Sequence, residues 1–586
     1  MIALLLGCHT DRARSLERRV ESLRESVSAL NTEAAELQVV LDAFPPPGAS
    51  VRHDNDPPGF DPAKPLPAPA PGRPDVILLS IDTLRADHLG AYGYERDTSP
   101  FIDSLAATGV LFEDAWSPSS WTLPSHTTML SGWLPIHHGT IEDHLSISSD
   151  VPLVQEAFQA AGYRTAGVVA TLFVSSRFGF DRGFHQFHDF GIRDKETNNL
   201  STVDADHVFH HALDWAQDQP PGQPMFLFLH VYDAHYQYDP PAPWNEKFDR
   251  KPRWGDEPYK NYTAYLQRMI PKVQLDHQIA QYDEEIAFTD AMLREFLERW
   301  RSQRDAVVVV TADHGEEFGE RGSWGHAHTL WPEQLEVPLI VNGPGVPTAR
   351  VSTRVGTEDI APTVAALANV PFPSAKDGVE RVTELRGGPA AADHVAARFA
   401  DTSRFDTLVY RWHEPPYDLI VDVSHGVRAL CDLAADPRCA VNAYGAHREE
   451  AEGLFTELMG WLGQPWQATA AGKVQVTEGV IFQDGVRRND ALEVGAGVRF
   501  AVEPRDAVVR FSPKGGAGQG PWQAFGGTVP ADGCGVSFTG RFTIDNQIEE
   551  LTSEESAMLT ALGYLQDTEG EVEDRGPVMQ GPAPCR

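Results

Sequence analysis

Residues Asp75–Asp82 read DVILLSID, an unbroken apolar run with one Ser inside it and an Asp at each end. Val76, Ile77, Leu78 and Leu79 are consecutive, so both faces of such a strand are apolar. That is the pattern of a strand covered on both sides, as in a parallel sheet, and not of a half-wet antiparallel one. The runs TAGVVA, MFLFLHVY, AVVVVTAD and VPLIVNG repeat the pattern. Helical patterns lie between them; VPLVQEAFQAAG is amphipathic and stops at Gly162, a C-cap signal. Strands alternating with helices predict an α/β fold with a mainly parallel central sheet sandwiched between helices.

Three of these runs end in ionisable residues on their carboxyl side: Asp82, then Asp233 and His235, then Asp313 and His314. Ligands of open α/β sheets bind outside the carboxyl ends of the strands. One Asp there is ordinarily a loop cap. Several acids and imidazoles gathered there are costly to bury unless a cation or hydrogen bonds compensate, and the set Asp82, Asp313 and His314 reads as a metal site. Oxygen ligands with one imidazole suit Mn²⁺, Mg²⁺ or Ca²⁺, with Zn²⁺ also compatible. Thr122 stands at the start of a predicted helix, TLPSHTTML, with Pro124 in the first turn. Alone it reads as an N-cap. Beside a cation held by Asp82, Asp313 and His314 it becomes a fourth ligand and a nucleophile, with the helix N-terminus favouring an anion. Arg85 is a candidate for binding that anion, or else one arm of a salt bridge.

The 586-residue chain has room for several domains. A net charge of −36 argues against nucleic-acid binding. The start, MIALLLGCHT, fits a lipobox over residues 1–8, which anchors a lipidated Cys8 to a membrane. Residues 12–44 read as a coiled coil. Apolar residues alternate four and three apart from Leu16 to Phe44, with Val20, Val27, Ala34 and Leu41 at a positions, a pattern favouring a parallel homodimer. Residues 45–74 are a Pro-rich extended linker. Then come a catalytic domain (75–375), a smaller α+β subdomain (376–466), a β-rich segment (467–548), a helix (549–565) and an acidic, disordered tail (566–586). Anchor, zipper and stalk together place the body in a bacterial cell envelope, periplasmic or on the outer surface. Of the remaining cysteines, Cys431 and Cys439 are close enough to pair.

Several motifs occur in one order: DVILLSIDTLRADHLGAYGY, SPFIDSLAATGVLFEDAW, TLPSHTTMLSG, GYRTAGVV, FLHVYDAHYQYDPP, YDEEIAFTDAML, TADHGEEFGERG and HTLWPEQLEVPLIV. From Asp75 to about Pro373 the chain resembles the sulfatase branch of the alkaline phosphatase superfamily. YDLIVDVSHGVRALCDLAADPRCAVN resembles the family's smaller subdomain. The resemblance implies an alkaline-phosphatase-like sandwich and an ester hydrolase. It makes Asp82, Asp313 and His314 metal ligands, Thr122 the nucleophile and His235 a substrate-binding His. Three positions depart from the sulfatase pattern: Thr83 replaces a second acid, His126 an Arg, and His326 a Lys. The set Asp82, Thr122, Asp313 and His314 looks more like the one-metal site of lipoteichoic acid synthases and phosphoethanolamine transferases. Asp233 and His235 have the wrong spacing for a second metal, so one divalent ion is expected. His326 and His328 are assigned to the substrate or its leaving group, and Asp233 and His126 to substrate binding. Glu316 and Glu317 stand as groups behind the ligands or as a solvated loop.

The nucleophile decides between esters. Sulfatases use a formylglycine made from Cys or Ser, whose second hydroxyl expels sulfate. Thr carries a methyl on its β-carbon and cannot give that aldehyde. A phospho-Thr is open to metal-assisted in-line hydrolysis. The sequence therefore favours a phosphate mono- or diester, or a phosphonate ester, of a small molecule, lipid or glycan. Its rivals are a sulfuric ester hydrolase and a catalytically silent binding module. Light scattering of the intact chain is expected to give a dimer, and a chain lacking residues 1–44 a monomer. A monomeric intact chain would remove the zipper.

Overall fold

The computed structural model describes residue 61; residues 63–249 except 144, 190–202 and 237; residues 272–461 except 374–376, 389–398, 405–408 and 423–426; and strand segments between 466 and 528. The lipobox, the coiled coil, most of the linker, the helix at 549–565 and the tail lie outside the described residues. Contacts divide the chain into two units, Met1–Lys64 and Pro65–Arg586, and all the described strands and helices belong to the second. No described helix is long and apolar enough to cross a membrane.

Eight strands form the central sheet: β1 (Asp75–Ile81), β2 (Val110–Phe112), β3 (Arg164–Val169), β4 (Gln186–Asp189), β5 (Met225–Val231), β6 (Ala306–Thr311), β7 (Leu339–Asn342) and β8 (Ala349–Val351). Their order is β8–β2–β7–β6–β1–β5–β3–β4. All run parallel except β7, which opposes both β6 and β2. VPLIVNG is thus a buried strand of reversed direction. Between Thr311 and Leu339 no long helix carries the chain back to the far end of the sheet. It re-enters from the carboxyl side, and an antiparallel strand results.

Every residue of β1 is buried, and Val76, Ile77, Leu78, Leu79 and Ile81 are at most 1% exposed. Each such side chain contributes about 1.5–3 kcal/mol over its exposed state, which is why the run shows no alternation. Helices α1 (Pro100–Thr108), α2 (Thr122–Ser131), α3 (Val154–Ala160), α4 (Ala205–Gln217), α5 (Lys272–Arg301) and α6 (Ile360–Leu367) cover the two faces, with α2, α3 and α6 in one layer and α1, α4 and α5 in the other. Phe226 of β5 stacks on Phe158 of α3 at 4.3 Å, and Phe209 of α4 on Phe296 of α5 at 5.1 Å. Helix α3 ends as its sequence predicts, with Gly162 just beyond it at φ +86°.

A second, antiparallel sheet comprises β9 (Phe399–Thr402), β10 (Val409–Glu414), β11 (Tyr417–Asp422) and β12 (Val427–Asp432). One face carries Trp412, Leu419, Val421 and Leu430 against α7 (Arg448–Trp461) and Leu134. The other packs Ala400, Ile420 and Ala429 on Trp116, Leu330 and Leu335 of the larger part. Cys431 and Cys439 form a disulfide at the end of β12. Beyond Trp466 the described segments are short, antiparallel strands.

The amino end of the sheet is pinned by one ion pair. Arg304 Nε and Nη2 donate to the two carboxylate oxygens of Asp75 at 2.6 and 2.8 Å, and both side chains are fully buried. Arg304 also donates to the carbonyls of Pro67 and Gln223, and Asp75 accepts the Met225 N–H. Removing one partner strands the other charge. Arg304→Met is expected to lower the unfolding free energy by about 3–5 kcal/mol in urea titrations. A loss below about 1 kcal/mol would show that the pin does not hold the sheet.

Candidate active site

Parallel register builds the site. Ser80 is level with His230 of β5 on one side and Thr311 of β6 on the other, so Asp82 and Asp313 emerge from the same edge. Asp82, Asp313 and His314 each offer a ligand atom, all within 4.8 Å of one another, and all three residues are fully buried.

Each of the three is held by one atom and offers another. Asp82 Oδ2 accepts from His230 Nε2 at 3.1 Å, while Oδ1 accepts no hydrogen bond. Asp313 Oδ1 accepts the N–H groups of Thr83 (3.2 Å) and His314 (2.9 Å), while Oδ2 accepts none. His314 Nδ1 donates to the Gly315 carbonyl at 2.9 Å, which leaves the Nε2 lone pair facing the acids, 3.2 Å from Asp313 Oδ2 and 3.8 Å from Asp82 Oδ1. Buried carboxylate oxygens left unpartnered beside an imidazole lone pair fit a divalent cation. Burial pushes the Asp82 carboxyl up to about 7, against the opposing effects of His314 and the Thr122 hydroxyl. Burial and then the charge of Asp82 raise Asp313 as well.

Thr122 is the first residue of α2, and its Oγ1 lies 3.4 Å from His314 Nε2. Thr83, in place of a second acid, sits at φ +55°. A β-branched residue there costs about 1–3 kcal/mol. Its Oγ1 donates to the Ala234 carbonyl at 2.6 Å, its carbonyl accepts from the Tyr282 hydroxyl, and its N–H holds Asp313.

Around the ligands, the His326 ring lies 4.5 Å from that of His314 and 4.9 Å from that of His235. His326 Nδ1 is 3.3 Å from Glu316 Oε1, and the Tyr238 hydroxyl donates to Glu316 Oε2 at 3.0 Å. Glu316 is therefore a buried group behind the ligands and not a solvated loop residue, and burial raises its carboxyl to about 8. Burial drives His326 and His235 well below the usual imidazole range. His235 Nδ1 donates to the Tyr236 carbonyl, and its Nε2 lies 3.1 Å from the Tyr232 hydroxyl.

Four expectations are corrected. His126 does not line a pocket. Four residues beyond Thr122 on α2, it is turned inward, with Nδ1 donating to the Thr122 carbonyl and Nε2 meeting the Ser80 hydroxyl, both at 2.9 Å. Burial holds it neutral, at about 3; it supports the nucleophile's helical turn. Arg85 spends its fork on Asp87, Glu320 and the Glu316 carbonyl, so the salt-bridge alternative describes it. Asp233 accepts the Ala205 N–H at the start of α4, beside Asp204 and Glu285; burial and then Asp204 raise its carboxyl. His328 braces its own turn through the His326 carbonyl and the Ser323 hydroxyl. Alternation in strands and helix phase move these side chains off the pocket, and neither is readable without the neighbouring elements. Sequence reasoning also missed Ser80, the His230 bond to Asp82, and Arg404. The polar Ser and His inside otherwise apolar strands were the available signals for the first two.

A model of the sulfatase family matches residues 74–370. The chain belongs to the sulfatase family. It is accordingly an ester hydrolase of the alkaline phosphatase superfamily. It is 23% identical over 376 residues to a Δ4,5-hexuronate-2-O-sulfatase of Bacteroides thetaiotaomicron, covering 56% of this chain and 75% of that protein. It is 26% identical over 451 residues to human arylsulfatase A, covering 64% and 83%. Its fold matches the phosphonate monoester hydrolase of Agrobacterium radiobacter with a TM-score of 0.55 at 17% identity, over 67% of this chain and 95% of that one.

The Asp82 carboxyl gives the metal site a pH signature. In the metal-free fold its raised value stabilises at low pH, and that contribution is lost as pH rises through about 7. A cation needs the ionised form, so protons compete with it below that value. Mn²⁺ binding followed by calorimetry from about pH 6 to about pH 8 is expected to tighten with pH and to release protons. Affinity independent of pH across that range would exclude Asp82 as a ligand.

Proposed function

We propose that the chain hydrolyses phosphate mono- or diesters, or phosphonate esters, with Thr122 as the nucleophile. The observation that carries this is the place of the Thr122 hydroxyl. It stands at the N-terminus of α2, 3.4 Å from His314 Nε2 and beside the two carboxylates whose outer oxygens have no hydrogen bond. The residue there is one that cannot become a formylglycine.

A divalent cation held by Asp82, Asp313 and His314, of the Mn²⁺, Mg²⁺ or Ca²⁺ kind, supplies positive charge that lowers the cost of ionising Thr122 and offsets charge developing on the ester. The residues do the rest. His126 and Ser80 fix the first turn of α2, which aims Thr122 out of the helix end. The helix N-terminus favours the anionic group that docks there. Neutral imidazoles of His235 and His326 wall the pocket, and the buried Glu316–His326 pair holds a proton within reach of a departing alkoxide. Attack by Thr122 forms an O–P bond as the ester O–P bond breaks, the alcohol leaving with that proton. Water then cleaves phospho-Thr122 in line. The Cys431–Cys439 disulfide supports an oxidising compartment, in keeping with an envelope enzyme anchored through Cys8.

The names of the sequence relatives favour the rival substrate, a sulfuric ester. One assay separates the two. Purified protein is given p-nitrophenyl phosphate, bis-p-nitrophenyl phosphate, p-nitrophenyl phenylphosphonate and p-nitrophenyl sulfate with each metal. The phosphorus esters are expected to dominate, Thr122→Ala to lose at least about 10³-fold in kcat, and acid quenching to trap phosphate on the Thr122 peptide. Faster turnover of the sulfate with Thr122 intact overturns the reading. Absence of metal binding, together with no effect of Thr122→Ala, points to the binding module.

A further inference from the structure

The second sheet delivers a cation to this pocket. Arg404 follows β9, and each residue of the approach is tied to a loop of the larger part. The Asp401 N–H donates to the Pro118 carbonyl (2.9 Å) and the Ser119 hydroxyl to the Asp401 carbonyl (2.8 Å). The Thr402 hydroxyl donates to the Ala327 carbonyl (3.1 Å), next to His326, and the Ser403 hydroxyl to the Ile141 carbonyl (3.2 Å). The Arg404 guanidinium then lies over two rings, 4.4 Å from the centroid of Trp121 and 4.7 Å from that of Phe173, which meet edge to face. Trp121 directly precedes the nucleophile. Arg404 is 7% exposed, and Asp143 Oδ2 lies 3.9 Å from its Nη2.

A guanidinium flattened on aromatic faces is fixed in plane, and its N–H fork matches the geometry of a planar oxyanion. Its charge is felt by His235 and His326, and not by Asp82. The rings of His326 and His314 stand between it and the metal ligands. An anion on Arg404 is therefore a different group from the one attacked by Thr122.

We propose that Arg404 is a specificity-determining residue that binds a second anionic group, a carboxylate or its equivalent, on the organic half of the ester. The proposal rests on the ester-hydrolase reading, and not on whether phosphate or sulfate is cleaved.

The test uses phenyl phosphate with its ortho-, meta- and para-carboxyphenyl counterparts, and the same four esters of sulfate, on the full chain. The readout is the ratio of kcat/KM for the best carboxylated ester to that of the plain ester. A ratio of at least about tenfold is expected in the native protein, collapsing toward one in Arg404→Ala and partly kept in Arg404→Lys. Being internal to each variant, the ratio is insensitive to the amount of folded protein. A ratio near one in the native protein, or one that survives Arg404→Ala, overturns the proposal. Turnover of the sulfate set alone overturns the phosphate reading while the ratio still judges Arg404. No turnover of any ester overturns both.

Discussion

Two carboxylates, Asp82 and Asp313, leave the ends of adjacent parallel strands and are buried in the same dry space. Like charges so placed repel strongly where the dielectric is low. Much of the surrounding structure answers that repulsion. His230 holds one oxygen of Asp82; Thr83, bent into a left-handed conformation, and the His314 backbone hold one oxygen of Asp313. The remaining oxygens and His314 Nε2 converge, and a cation is the group that completes them. Tyr282 keeps Thr83 in its strained shape by bonding its carbonyl, and the same hydroxyl accepts the Arg85 N–H. Arg85, with Asp87 and Glu320, stiffens the loop that leaves β1.

The nucleophile depends on the same constraint from the other side. Thr122 is useful only if its helix ends at the acids. Helix α2 is buried along its whole length, and Ser80 and His126 join it to β1 through the apolar layer. A polar pair crossing that layer is costly unless each member is satisfied, and both nitrogens of His126 are. The second sheet contributes through Trp116, Leu330 and Leu335, which it covers, and through the 401–404 strap across the loop ahead of Thr122. The pocket is thus shared between the two sheets, and the chemistry of the metal end is separated from the organic end by a wall of neutral imidazoles.

Much of this was legible in the chain. The apolar run of β1, unalternating because both its faces are covered, announced a parallel sheet, and Asp82, Asp313 and His314 at strand ends announced its ligand edge. Thr122 before Pro124 announced a helix start. Those signals are local: strand burial, strand ends and helix caps are written in a few neighbouring residues. The reversed β7 escaped because its direction depends on where the preceding loop returns to the sheet.

Sequence alone determined the family pattern, the strand-end acids and a Thr in the nucleophile position, since each follows from residue type and spacing. Only the tertiary structure decided which polar side chains reach the pocket. His126 and His326 are equally plausible in sequence, yet helix phase turns one under the site and loop geometry brings the other beside it. Arg85 stands three residues from a ligand and is consumed by its neighbours, whereas Arg404 stands 90 residues beyond His314 and arrives by packing. Direction and company of a side chain are set by contacts between distant segments, and those exist only once the sheets have closed on each other.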